Sequence, residues 1–370
     1  MNSRRAFEMF FGAMALLLVA AMSLAAQTPT PSPALLILAK SDNTLAIVDP
    51  TTLQVVARVL AGQDPHEVIS SDDGRFAYIS NYGGENSTLN TISVVDLTAQ
   101  KALPAIDLGA LHSTHGLAFA GGKLYFTAET NKAIGCYDPA TKRVDWILGT
   151  GQDRTHMIVV SSNLNQIVTS NVSSGTISII EQVSQPNRGF GPPPGSSGAP
   201  PSGRGGSGPG GPARKTWLVT NIPAGNGSEG FDVSPDGKEI WVANAQDGTA
   251  TIIDVAGKKV GETVPISVKG ANRLKFTPDG KLVLISGLGG GSSPASGDLV
   301  VLDAASRKEV KQLNLGGGSA GILIPPDGRD AYVAVSANDK VAVVNLKTLE
   351  VTSYISAGKQ PDGLAWAVRK

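Results

Sequence analysis

Six stretches of this chain repeat one another, and that repetition constrains the fold more than any other feature. They are HEVISSDDGRFAYISN from His66, HGLAFAGGKLYFTAE from His115, HMIVVSSNLNQIVTSN from His156, EGFDVSPDGKEIWVAN from Glu229, NRLKFTPDGKLVLISG from Asn272 and AGILIPPDGRDAYVAVS from Ala320. Their first residues are 49, 41, 73, 43 and 48 positions apart. A period of this size marks a supersecondary unit that buries its apolar surface by stacking on its neighbours. In each unit two runs of alternating polarity flank a turn such as Ser234-Pro235-Asp236-Gly237. There proline presets φ and glycine accepts the positive φ that other residues resist. A third run follows, as in TISVVDL (91–97), TATIIDV (249–255) and KVAVVNL (340–346), and then a weaker fourth.

Four short strands in a unit of this length predict one blade of a β-propeller. The chain ends on QPDGLAWAVRK from Gln360, a first strand with no blade behind it, and its repeat region begins at LLILAK from Leu35, a second strand with no first. The two ends therefore complete one shared blade. With the six complete repeats this gives an all-β, seven-bladed propeller of four-stranded antiparallel blades, closed by the C-terminal strand joining the N-terminal strands. Such closure leaves no free sheet edge between the terminal blades.

The segments FAYISN, EIWVAN and AYVAVS, each followed by a TISVVD-like or TATIID-like run, resemble the YVTN-type seven-bladed propeller repeat over nearly the whole chain beyond residue 33. That resemblance implies the fold and leaves the activity open, because propellers host many unrelated functions. Propellers of similar type include lactonases and the haem-bearing domain of nitrite reductases. The CxxCH haem-attachment motif of the latter is absent here.

Residues 1–26 read as an export signal: Arg4 and Arg5, an apolar stretch over 9–24, then small residues suited to cleavage near Ala25 or Ala26. Residues 3–7 resemble the twin-arginine motif, from which Glu8 departs; ordinary secretion is the other route. No cysteine follows the apolar stretch to carry a lipid anchor. The expectation is a bacterial periplasmic or secreted monomer with no membrane span after cleavage, a linker over 27–33 and one domain over 34–370. Residues 185–214 account for the long 73-residue step and are rich in glycine, proline and serine, a composition that cannot bury a core and predicts a disordered insertion. A lone cysteine, Cys136, excludes an intramolecular disulfide, and a net charge of zero with 17% charged residues gives no footprint for nucleic acid.

The first strand of a blade lies innermost and starts at one mouth of the central channel. Around the ring, the residue opening each repeat is His66, His115, His156, Glu229, Asn272, Ala320 and Asp362. Every histidine except His112 holds this position. Three imidazoles and a carboxylate on consecutive blades suit one transition-metal ion, with His66, His115, His156 and Glu229 as its ligands. The same ring, with Asn272, Arg273 and Asp362, could line a small-ligand or protein-binding site. In an enzyme of lactonase or lyase type, His156 and Glu229 would move protons, with Arg273 and Arg154 as anion clamps. Against all of these stands rim packing: Val68, Leu117, Phe119, Ile158 and Val160 share the ring residues' alternation parity, and are apolar.

Long loops at 81–90 and 287–297 reach the same mouth, and the insertion leaves from the opposite face. Residues 317–321 match the nucleophile-elbow spacing but join two strands, where that motif needs a helix. Residues 287–291 lack the last glycine of a dinucleotide fingerprint. Asn81, Asn171 and Asn244 read as turn-formers and Trp217, Trp241 and Trp366 as blade packing, with Trp146 partly exposed.

Overall fold

The computed structural model describes residues 28–83, 89–185, 214–289 and 298–370. The expected export signal lies outside these residues, as do 186–213 of the insertion and 84–88 and 290–297 of the two long loops. The described chain forms seven four-stranded antiparallel sheets arranged as a propeller. Its one helical turn among the described residues is the 3-10 turn Ser336–Asn338.

Blade 1 is built from both ends of the chain, with Pro361–Ala367 innermost, then Ala34–Ala39, Thr44–Asp49 and Gln54–Leu60. The closing register sets Leu35 opposite Trp366 and Leu36 opposite Ala365. The inner strands of blades 2 to 7 are Pro65–Ser70, Thr114–Ala120, Thr155–Val160, Ser228–Val233, Ala271–Phe276 and Ile322–Leu323. Second and third strands carry apolar residues on both faces, because each blade is covered by a neighbour on either side. Thus Ala34–Ala39 is buried along its whole length, and Trp241 packs its ring against Phe276 of the next blade at 5.7 Å. Residues 28–33, expected as a linker, lie against the propeller: Thr30 is buried, and Gln100 Nε2 donates to Thr28 O at 2.7 Å.

A β-bulge interrupts the inner strand at the channel mouth in blades 1 to 6. In blade 2 Pro65 pairs with Asn81 and Val68 with Ile79, so His66 and Glu67 together face Ser80 alone. Blades 3, 4 and 5 break register in the same place, between Thr114 and Leu117, Thr155 and Ile158, and Ser228 and Phe231. A bulge re-aims side chains. A hydroxyl caught by the bulge secures it: Ser80, Thr127 and Ser170 accept from the amides of Glu67, Gly116 and Met157. The shared parity of His66 with Val68 is thereby broken. Val68, Leu117 and Ile158 enter the apolar clusters between blades, whereas His66, His115 and His156 turn into the mouth. Tight approach of neighbouring inner strands needs glycine at three of these bulges, since a Cβ on Gly116 would stand 2.4 Å from His156 O, one on Gly230 2.4 Å from Asn272 O and one on Gly363 2.5 Å from His66 O.

Candidate functional site

Two concentric rings of residues meet at the mouth. The first is the bulge position already named. The second is the residue leaving the second strand of each blade: Lys40, Tyr82, Glu129, Val172, Ala245, Leu288 and Ser336. In blades 1 to 6 the amide of this second residue donates to the carbonyl of a left-handed residue two places before the ring position. Blades 5 and 6 use Gly227 and Gly270 there, at φ 72° and 61°, but blades 2 and 4 use Asp64 at 48° and Arg154 at 55°. A non-glycine residue in this region costs about 1–2 kcal/mol. Both of these residues bring a charge to the site.

The cavity between the rings encloses about 240 Å³, and all seven blades line it, including Lys40, His66, Tyr82, His115, Arg154, His156, Glu229, Asn272, Arg273, Ala320 and Asp362. At its centre His156, 1% exposed, is held between two carboxylates. Its Nδ1 contacts Glu129 Oε1, and its Nε2 lies 3.1 Å from Glu229 Oε1 without the alignment of a hydrogen bond. Arg154 stands over both acids, at 3.5 Å from Glu129 and 3.6 Å from Glu229, and the Tyr82 hydroxyl donates to Glu129 at 2.7 Å. The His115 ring lies 3.7 Å from that of His156, centre to centre, and its buried Nδ1 has no hydrogen-bond partner.

Burial works against a charge on His156, and the carboxylates of Glu229 and Glu129 more than offset it, so its pKa stands above the ordinary value. Burial drives His115 the other way, well below the usual histidine range, helped by the neighbouring imidazoles. For Glu229 burial is outweighed by His156, Arg154 and Arg273, which hold its carboxyl at about 2. Adjacent imidazoles with opposite shifts are a common mark of a working site.

The ring residues do not converge on one point. His66 turns aside to Asp64 at 3.3 Å and Asp362 at 3.4 Å. Arg273 donates to Asn272 Oδ1 and, at 2.5 Å, to Glu67 of blade 2 across the channel. That Glu67–Arg273 bridge divides the mouth from a wider hollow of about 520 Å³ at the other end, where Phe119, Met157, Phe231, Leu323 and Trp366 supply an apolar wall. His156 and Glu229 do meet, but the arginine that reaches them is Arg154. Ala320 lines the wall and offers no functional group. Glu129 went unnoticed in the sequence because it belongs to the second ring.

No family model matches the chain, and no curated protein matches it. Solved propellers do. A functionally unknown protein from Desulfotomaculum acetoxidans is 11% identical, with a TM-score of 0.68 over 92% of this chain and 100% of that one. A candidate 6-phosphogluconolactonase from Bacteroides uniformis is 14% identical, with a TM-score of 0.66 over 91% and 99%. The dihydro-heme d1 dehydrogenase NirN is 13% identical, with a TM-score of 0.58 over 90% of this chain and 74% of that one. The chain is thus a seven-bladed β-propeller. At these identities the likeness extends to the fold alone.

Proposed function

We propose that this chain is an exported β-propeller binding protein of the YVTN-repeat type, taking a small polar ligand into the mouth of its channel. One observation carries the reading: Glu129, His156 and Glu229 are gathered in or beside a cavity that withdraws them from water, with the half-exposed Arg154 standing over the two acids. Buried ion pairs are poor sources of stability compared with packed apolar side chains, so a cluster of them points to a ligand. The cavity's 240 Å³ lies below the ~300–1,000 Å³ of drug-sized sites, which fits a small guest. Export to the periplasm or beyond is inferred from residues 1–26; no helix among the described residues is long and apolar enough to cross a membrane.

Native mass spectrometry of the mature protein, taken from the periplasm without tag or chelator, tests the reading. A small co-purifying mass, lost from the Arg154→Ala variant, supports it. No adduct, together with unchanged stability and an empty cavity in every preparation, sinks it.

A second reading is a lactonase-like or lyase-like enzyme. It draws on His156 lying between Glu129 and Glu229, an arrangement suited to proton transfer. Its proposed arginine, Arg273, is engaged by Glu67. Lactone hydrolysis followed by pH-stat, abolished in His156→Ala, would move the assignment to this class.

A further inference from the structure

Three groups at the mouth offer metal-ligating atoms all within 4.8 Å of one another: His115, Glu129 and His156, and all three residues are buried. They come from two elements of blade 3 and one of blade 4. His115 opens the inner strand Thr114–Ala120, Glu129 leaves the second strand Lys123–Ala128, and His156 sits in the inner strand Thr155–Val160. These are firmly built positions. The bulge amide at Gly116 donates to Thr127 Oγ1 at 2.8 Å, and the same hydroxyl donates to His156 O at 2.8 Å, so one side chain ties the three ligand-bearing segments together.

One ring nitrogen here is buried and has no partner, His115 Nδ1, whereas His156 Nε2 faces the Glu229 carboxylate at 3.1 Å. Buried polar atoms are nearly always satisfied, and an exception calls for an unseen ion or water. The His115 residue that bears it is 2% exposed. Rim packing, which would bond each imidazole to a neighbouring loop, leaves the His115 nitrogen unexplained.

We propose that His115, Glu129 and His156 bind one divalent first-row transition ion, zinc, cobalt(II) or iron(II), at the channel mouth. The proposal rests on the reading of the mouth as a ligand site and names what that site takes. Two imidazoles and one carboxylate select ions of this hardness over calcium or magnesium, which prefer all-oxygen cages. Tetrahedral bonds of 2.0–2.1 Å put ligand atoms about 3.3 Å apart, so to close on an ion the widest pair of the cluster, within 4.8 Å, draws together while His156 Nδ1 and Glu129 Oε1, now in direct contact, part to admit it. Glu229, 3.1 Å from His156 Nε2, takes the place of the outer carboxylate that commonly holds a metal-bound imidazole from behind. With three protein ligands, the remaining coordination faces the cavity, where Arg154 and Tyr82 lie. His66 does not belong to this set, since its nitrogens are directed at Asp64 and Asp362.

Cobalt(II) titration of chelator-stripped mature protein, read by visible absorption and calorimetry, tests the assignment. One equivalent should bind, with the ligand-field bands of a low-coordinate nitrogen and oxygen site. Glu129→Gln, close to isosteric, and His156→Ala should each weaken binding at least about a hundredfold, beyond the about 10–100-fold expected for Glu229→Gln as an outer residue. His112→Ala controls for adventitious imidazole binding and should leave the titration unchanged. Circular dichroism confirms that each variant is folded; if His156→Ala is not, Glu129→Gln and His115→Gln decide the matter. No cobalt uptake, or uptake indifferent to Glu129→Gln and His115→Gln, overturns the proposal. An organic adduct in native mass spectra without cobalt binding would overturn the metal and leave the mouth as a binding site; neither adduct nor metal would remove both.

Discussion

At the scale of single residues, the mouth is a place where the fold accepts cost. Arg154 occupies a left-handed backbone position that Gly227 and Gly270 fill in blades 5 and 6, and Glu129, Glu229 and His156 are charged groups withdrawn from water. Glu229 gives this a measurable pH signature. Its carboxyl is held at about 2 against an ordinary 4.5, despite burial, by His156 and Arg154. A depressed acid contributes stability above its unfolded pKa and loses it as pH falls through the folded one. In chelator-treated protein Glu229→Gln should therefore cost about 1–3 kcal/mol near neutrality, with the deficit shrinking from about pH 4.5 and gone near pH 2. Urea midpoints across that window measure it; a deficit that persists unchanged at pH 2 would mean the loss is packing and not charge. The histidines at the ring position could be read from the sequence, because the repeats align them without structure. Glu129 could not: its ring holds Lys40, Tyr82, Val172, Ala245, Leu288 and Ser336 in the other blades, seven different residue types with no pattern to follow.

At the scale of elements, the bulge decides which side chains reach the site. Period-two alternation assigns His66 to the same side as Val68, and one extra residue per inner strand reverses that. Nothing in the pairs His66-Glu67 or His156-Met157 announces a bulge, which is why alternation and turn chemistry reveal the blades but misjudge the histidines' direction. Gly116, Gly230 and Gly363 are the exceptions, glycines whose backbone φ is not left-handed and whose missing Cβ is the issue. Gly116→Ala would press a Cβ against His156 O, Met157 Cα and Ile158 N and should cost about 2–3 kcal/mol, because all three atoms belong to backbone. Gly149→Ala, with nothing within 4 Å, should stay within about 0.5 kcal/mol. Equal effects in thermal unfolding would show that the inner strands do not pack as tightly as described. The hairpin of blade 4 makes a second test. Thr176–Gln185 and Arg214–Pro223 pair over their full length, down to Gln185 opposite Arg214. The strands thus hold their register without the intervening residues. Replacing 186–213 by a four-residue turn should stabilise the fold by about 1–2 kcal/mol through loop-closure entropy alone. A large loss of stability would mean that the segment makes contacts of its own with the propeller.

For the whole molecule, stability and site depend on the same closure. Pro361–Ala367 pairs with Ala34–Ala39 and completes blade 1, and the same strand delivers Asp362 to His66 and lays Gly363 against the His66 carbonyl. Cutting the chain after Gln360 removes Leu364 and Trp366 from the apolar cluster between blades 7 and 1 and bares an edge strand whose six residues are otherwise fully buried. Each large apolar side chain so exposed forfeits about 1.5–3 kcal/mol, and an open apolar edge recruits other chains. The truncated protein should therefore aggregate or exchange strands at concentrations where the full chain does not, as size-exclusion chromatography with light scattering would register. A synthetic peptide of residues 361–370 should restore the elution of the full chain, since it supplies both the missing ladder and the missing ring residue. A truncated chain that elutes and melts like the intact protein would show that six blades and a three-stranded remnant suffice. In that case the mouth, lacking Asp362 and the inner strand of blade 1, should still bind cobalt, because His115, Glu129 and His156 all come from blades 3 and 4, far around the ring from the cut.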